Sequence, residues 1–354
     1  MFISLLLIAL IAFGGMALTY LVADKKPFMW RLSAGCVIGC AGFGIVGFVA
    51  ASLIGFGPVT VAAALIVTLL PVILLFRRND IKKRFLHDWA KAKGTFAGAS
   101  LKKSRRFFYY AFFFILFWLF FERTMYEFNG GIFTGGSQNL GDLPFHLGAI
   151  FSFTDGNNFP PQNPSWAGAK FTYPFIADFL TACFVKLGAD VRNAMMIQNI
   201  AWAFSLLVIL ESFVLRLTGN KLAGRIAPAL LFLSGGLGFL WFGSDLMASG
   251  KGLYDFVMAL PRDYTISDNF RWGNSMVVLF MTQRSLLLGM PLTVLVLGYL
   301  RKVFARDEKA DNGGGAGPSI FSQFPASAFM VGVLAGTLPM IHLHSLAVLF
   351  TVTA

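Results

Sequence analysis

Asp142 and His146, in the run Gly141-Asp-Leu-Pro-Phe-His146, stand four residues apart. On a helix that spacing puts both side chains on one face. A carboxylate beside an imidazole suits a general base with a supporting neighbour, taking the proton from an attacking hydroxyl. It equally suits a hydrogen-bonded pair that holds a sugar hydroxyl. The plainer role is an aspartate that caps the helix after it, as aspartates commonly do. Local sequence leaves these roles open.

The same segment offers further groups for substrate contact. Asp155 and Lys170 are its charged candidates, although Asp155 sits in Thr154-Asp-Gly-Asn157, an ordinary turn signature. Trp166 and Tyr173 suit stacking on a sugar ring, or membership of the aromatic belt at a membrane surface. Pro160, Pro161 and Pro164 stiffen an extended stretch that could line a groove.

Arg284, in Met281-Thr-Gln-Arg284-Ser, falls inside a later apolar run, at roughly 12 Å depth by helix rise. A charge there is costly and points to function. A guanidinium fork suits a phosphate; snorkelling, or pairing with a carboxylate elsewhere, is the structural alternative. His342 and His344, in Met340-Ile-His-Leu-His-Ser345, are substrate-binding candidates as well. Two apart on an ideal helix they face different ways, which is poor geometry for one metal ion. Interhelical hydrogen bonding suits them better, and a break at Pro339 would turn them toward a cavity. Tyr254, Asp255, Arg262, Asp263, Tyr264, Asp268, Arg271 and Trp272 form a second polar stretch, with Arg271 its candidate for binding substrate. That stretch reads equally as a solvated loop. No clustered set of oxygen ligands stands out, so no metal or other cofactor is assigned.

The elements that must position these groups are membrane helices. The 354 residues are 56% hydrophobic and 13% charged, far from the roughly 25% charge of a soluble domain. Several apolar runs reach the roughly 20 residues needed to cross a bilayer. The net charge of +12 comes from basic residues in short turns beside those runs, where topology signals sit, not from a basic face that would bind nucleic acid. Cys36, Cys40 and Cys183 lie in apolar surroundings and behave as small hydrophobes.

Spans are expected at 2–22, 32–54, 58–76, 107–121, 194–215, 226–242 and 276–300, with a last run from 326, about eight in all. The stretch 177–187 is too short to cross and reads as a helix at the interface or dipping into the membrane. Placing every basic turn in the cytoplasm, including the basic loop 77–106, puts the N-terminus and the loops around Asp142 and Asp255 outside. A glycine-rich linker occupies 311–318. The sequence ends inside an apolar run, which suggests a truncated C-terminus.

Between 107 and 241 the order of features is specific. A long outer loop with an early Asp leads to Tyr173-Pro174-Phe-Ile, an apolar half-helix, Leu187-Gly188 and a span opening Arg192-Asn-Ala-Met. The basic turn from Arg216 to Arg225 follows, and then a span through Pro228. This order resembles the membrane glycosyltransferases of the GT-C fold, including protein O-mannosyltransferases and the enzymes that transfer aminoarabinose to lipid A. Those families place an essential acidic residue early in the first large outer loop, and the matching position here is Asp142. Basic groups hold their lipid phosphate, a role that would fall to Arg284. Two features depart from the pattern: three spans precede the loop-bearing one, and Asp142 is a lone carboxylate, not an acidic pair.

The sequence therefore predicts an all-α, polytopic transmembrane helical protein, GT-C-like, with a long outer loop after the fourth span and an outward-facing polar cavity. Residues 1–106 form an N-terminal three-helix membrane segment plus a basic cytoplasmic loop, and 107–354 a GT-C-like core. The resemblance implies transfer of a sugar from a polyprenyl-phosphate donor to an acceptor glycan, lipid or protein, at the outer face of the plasma membrane. Asp142 would be the base and His146 its support. The alternative is a transporter or lipid flippase with an intramembrane Arg/His site, although no internal repeat supports it.

Overall fold

The computed structural model describes residues 1–23, 25–97, 101–264, 273–311 and 326–353. Helices α1 (Phe2–Val22) and α2 (Phe28–Ile54) are apolar on every side, as segments buried in protein or lipid must be. Small residues let their backbones touch. A Cβ on Gly15 would lie 2.1 Å from the Gly35 carbonyl oxygen, and one on Gly39 2.2 Å from that of Ile11. Gly35 and Gly39 are one turn apart, the small-xxx-small spacing that packs membrane helices closely.

Pro58, in the first turn after Gly57, starts α3 (Pro58–Leu69) where its missing N–H costs nothing. A tight turn at Leu70–Val72 carries the chain into α4 (Ile73–Arg77), and the whole is one span-length run. The basic stretch that follows is not a loop. Most of it is α5 (Asn79–Ala97), an amphipathic helix. Its Ile81 is fully buried and Phe85 meets Phe13, Tyr20 and Phe28, while Lys82 and Lys83 face outward. Asp88 bonds Arg31 at 3.1 Å and so fastens α5 to the end of α2.

After α6 (Leu101–Thr124) the long loop opens with a hairpin of β1 (Met125–Phe128) and β2 (Gly131–Thr134). Asn129 and Gly130 both have positive φ, 49° and 77°, as a two-residue hairpin turn requires. The loop also holds α7 (Asp142–Thr154) and ends in α8 (Ile176–Lys186). The short α8 is buried from Ile176 to Phe184 and packs against α2, α7 and α9 (Val191–Thr218). Asp190 caps α9 and Gly219 ends it in the left-handed conformation; Asn220 then caps α10 (Lys221–Leu233). Short helices α11 (Phe242–Ser249) and α12 (Leu253–Met258) precede a wide turn at Met276–Phe280. The last helices are α13 (Arg284–Asp311), α14 (Ala326–Ile341) and α15 (Leu343–Thr353).

Among the described residues six helices are long and apolar enough to cross a membrane, or seven if α10 and the segment after it count as one bent span. That is fewer than the eight expected, because two apolar runs are broken below span length, while a third is interrupted but keeps a span-length helix. The run through Pro228 bends by 77° after Leu233, at Ser234-Gly-Gly. The run through Arg284 begins as a wide turn, so Arg284 is the first residue of α13 and not a residue within a continuous helix. The final run breaks at His342, three residues after Pro339. The linker, from 312 onward, lies outside the described residues.

Residues of α1, α2, α8, α9 and α13 share one hydrophobic core, with Trp202 wholly buried and its Nε1–H donating to Cys40 Sγ at 3.4 Å. The basic turns converge at one end, where Lys26 Nζ donates to Ser212 Oγ at 2.8 Å and Arg301 to the Arg216 carbonyl at 2.7 Å. The cysteines are free and buried, which makes a topology test simple. With all three replaced by alanine, a cysteine at Lys83 should react with a membrane-impermeant maleimide only after cells are opened, and one at Trp166 before. Labelling of both from one side would refute the span assignment.

Candidate functional site

Asp178 lies in the first turn of α8 and is 1% exposed. A carboxylate so placed is tolerated only when paired and hydrogen-bonded. Both of its oxygens are engaged. Oδ1 accepts from Arg284 Nη1 at 2.8 Å, and Oδ2 is 2.8 Å from His146 Nδ1. The helices α7, α8 and α13 thus meet at one side chain.

Arg284 is itself 1% exposed. Its Nε donates to Asn199 Oδ1 at 3.1 Å, and its Nη2 to Thr181 Oγ1 at 2.9 Å and Gln198 Oε1 at 2.8 Å. The guanidinium carbon also lies 5.6 Å from the centre of the Trp202 ring, a cation–π contact. Four of the five N–H groups of the fork are committed within the protein. The guanidinium that the sequence assigns to a lipid phosphate is the inner half of an ion pair.

His146 has two acceptors and no donor. Its Nε2 lies 2.9 Å from the Thr282 carbonyl, which can only accept, and its Nδ1 faces a carboxylate. Both acceptors are satisfied only when both ring nitrogens carry protons, as in an imidazolium. Burial works against that charge, but Asp178 outweighs it and raises the His146 pKa. Thr282 precedes α13, where the broken helix leaves carbonyls without helical partners, and His146 fills one of them.

The expected Asp142–His146 pair does not form. Asp142 is the first residue of α7, half-buried, whereas His146 turns into the core at 2% exposure to meet Asp178. Nor does Asp142 cap its helix, since Gly141 holds that position without a side-chain bond. Among the described residues the Asp142 carboxylate has no hydrogen-bond or ion-pair partner. Its charge reaches Tyr173, whose hydroxyl is 3.2 Å from Ser285 Oγ and whose ring meets Phe145 and His146 edge-on. Tyr173 therefore spans the gap between α7 and the start of α13.

No protein-family model, curated protein or solved structure matches the chain.

The other candidates lie apart from this cluster. Asp155 is exposed and ends α7, as its turn signature implies; Trp166 is 74% exposed, and Lys170 pairs through its backbone with Gln162. His342 Nδ1 bonds Ser345 Oγ at 2.8 Å within its own segment, and among the described residues it makes no side-chain bond to another helix. Because the helix breaks at His342, the rings of His342 and His344 come within 5.4 Å despite their spacing. His342 packs on Gly289 of α13, where an added Cβ would lie 2.5 Å from its own. Arg271, with Asp268 and Trp272, lies outside the described residues. Among the described residues no group of three His, Cys, Asp or Glu side chains could hold a metal ion.

Among the described residues this end holds a buried polar network, with Asp142 and Tyr173 on the elements that carry it. Asp178 is the residue that sequence reasoning missed. Its signal was present: a carboxylate inside an apolar helix is as costly as the arginine that drew notice. Removing one member of a buried pair costs about 3–5 kcal/mol. Asp178→Leu and Arg284→Met should each lose about that much in equilibrium unfolding in mixed micelles. The double variant should lose less than their sum by about 1–3 kcal/mol, and additive losses would refute the pair.

Proposed function

We propose that the chain is a membrane glycosyltransferase of the GT-C type, moving a sugar from a polyprenyl-phosphate donor to a hydroxyl acceptor at the end opposite the basic turns. The observation that carries this reading is Asp142, a carboxylate without a partner among the described residues, held on a helix that a buried ion network anchors. A general base needs a free lone pair and a fixed position, and these requirements usually conflict. Here α7 separates them, with His146 anchoring the helix and Asp142 left open. The resemblance places the essential acid at this same position.

The geometry assigns different work to two of the candidates. His146 is a positioning residue acting through α7 rather than a partner of the base. Arg284 holds Asp178, so the donor phosphate would be met by other groups. Tyr173, half-buried beside His146, is the nearest described side chain suited to stacking on a sugar.

A transporter or lipid flippase is the second reading, and the broken helices favour it. The bend after Leu233, the turn before Arg284 and the break at His342 are interruptions of the kind that line transport sites. A protonated His–Asp pair would serve proton coupling. The test is transfer of radiolabelled sugar from a panel of polyprenyl-phosphate donors by purified protein in liposomes. Asp142→Asn should lower transfer by about 10²–10⁴-fold with donor binding retained. Transfer that survives in the variant refutes Asp142 as the base. No transfer from any donor, with labelled lipid crossing the bilayer instead, makes the transport reading the better one.

A further inference from the structure

The opposite end of the bundle contains a cavity of about 290 Å³ between the α1–α2 turn, α9 and α13. This is close to the lower bound of the roughly 300–1,000 Å³ typical of small-ligand sites. Its walls divide by chemistry. Val22, Ala23, Ile209, Val294 and Leu295 are apolar, whereas Lys25, Lys26, Arg216, Ser212 and Tyr299 are polar. Among the described residues that line it, none is acidic.

Three polar groups here lack the partners that the fold gives others. The Tyr299 hydroxyl is buried without a hydrogen bond, on a residue only 6% exposed. Among the described residues, the Arg216 guanidinium has no hydrogen-bond or ion-pair partner, although its carbonyl accepts from Arg301. Lys26 has a neutral hydroxyl, Ser212 Oγ, and lies 4.4 Å from the centre of the Trp30 ring, with no carboxylate in contact among the described residues. Two cations and a donor hydroxyl around one empty space call for an anion.

We propose that this cavity binds a phosphate group, either the headgroup of an anionic lipid in the adjoining leaflet or a free phosphate. Basic pockets between membrane helices at the cytoplasmic side are suited to such headgroups, and the apolar wall would meet the glycerol and the first chain carbons. Burial, then Arg216 and Arg31, pushes the Lys26 ammonium down to about 7. The groups facing it are Lys25 on its own turn, Trp30 and Arg31 on α2, Ser212 and Arg216 on α9, and Tyr299 on α13. Arg31 is already paired to Asp88 of α5. A bound anion favours protonated Lys26, so affinity should fall as pH rises through 7.

Full-length protein in phosphatidylcholine micelles is titrated with phosphatidylglycerol, and retained lipid is counted by native mass spectrometry at pH 6 and pH 8. Labelled inorganic phosphate is measured in parallel by equilibrium dialysis. Preferential retention of phosphatidylglycerol at pH 6, undiminished by about 10 mM phosphate, assigns the site to a lipid. Saturable binding of inorganic phosphate, with no lipid preference, assigns it to a free phosphate. In either case Lys26→Gln and Arg216→Gln should each weaken binding about fivefold. Tyr299→Phe, which preserves packing, should weaken it about two- to fivefold with the unfolding temperature unchanged. Lys26→Gln should also remove the pH dependence of lipid retention, since a phosphodiester does not titrate in this range. Neither ligand binding, or binding indifferent to all three substitutions, would overturn the proposal.

Discussion

A carboxylate inside a bundle of apolar helices persists only if both of its oxygens are met, and Asp178 is met by groups from two other elements. Arg284 comes from the first turn of α13 and His146 from α7, so one side chain fixes the relative position of three helices. The constraint extends outward from there. Arg284 is also held by Thr181 of α8 and by Gln198 and Asn199 of α9. His146 meets the Thr282 carbonyl, which the interrupted helix leaves free. The break before α13 and the orientation of α7 are thus two consequences of the same network.

That network bears on function through what it leaves unengaged. An arginine, an imidazolium and one carboxylate sum to a positive charge in the interior, and Asp142 stands at the outer edge of the same helix. The anchored helix gives that carboxylate a fixed position, which the proposed role as a base would require. The basic end shows the complementary situation. There Lys26 and Arg216 border a cavity without a carboxylate partner among the described residues, whereas Arg31 nearby fastens α5 through Asp88. The molecule satisfies its buried charge internally at one end and leaves room for an anion at the other.

The six long apolar helices were legible in the sequence because bilayer thickness imposes length and composition directly. Arg284 was legible for the same reason: one charge in a long apolar run has no ordinary explanation. Its partner was not, because α8 is too short to be a span and Asp178 passed as part of a mostly apolar stretch. His146 was found through a spacing rule whose implied partner was wrong. An i, i+4 rule describes neighbours along one helix, whereas the bond that formed joins residues 32 positions apart. The amphipathic α5 hid behind its own charge, and the hairpin behind a loop composition, although Asn129-Gly130 is the usual signature of such a turn. The break at Ser234 was hidden by apolar composition, which does not tell a straight helix from an interrupted one, whereas Pro339 signalled the one at His342.

The state of His146 tests the organising role of Asp178 most directly. The chain has four histidines, His87, His146, His342 and His344, so ¹⁵N-histidine labelling gives few signals, and a His146→Gln variant identifies the one that matters. An unperturbed histidine has a pKa of about 6.5 and is mostly neutral at pH 7.5. With a carboxylate on Nδ1 and a carbonyl on Nε2, His146 should show both nitrogens protonated at that pH and become neutral in Asp178→Asn. A neutral tautomer in the wild type, or an imidazolium indifferent to the loss of Asp178, would contradict the account.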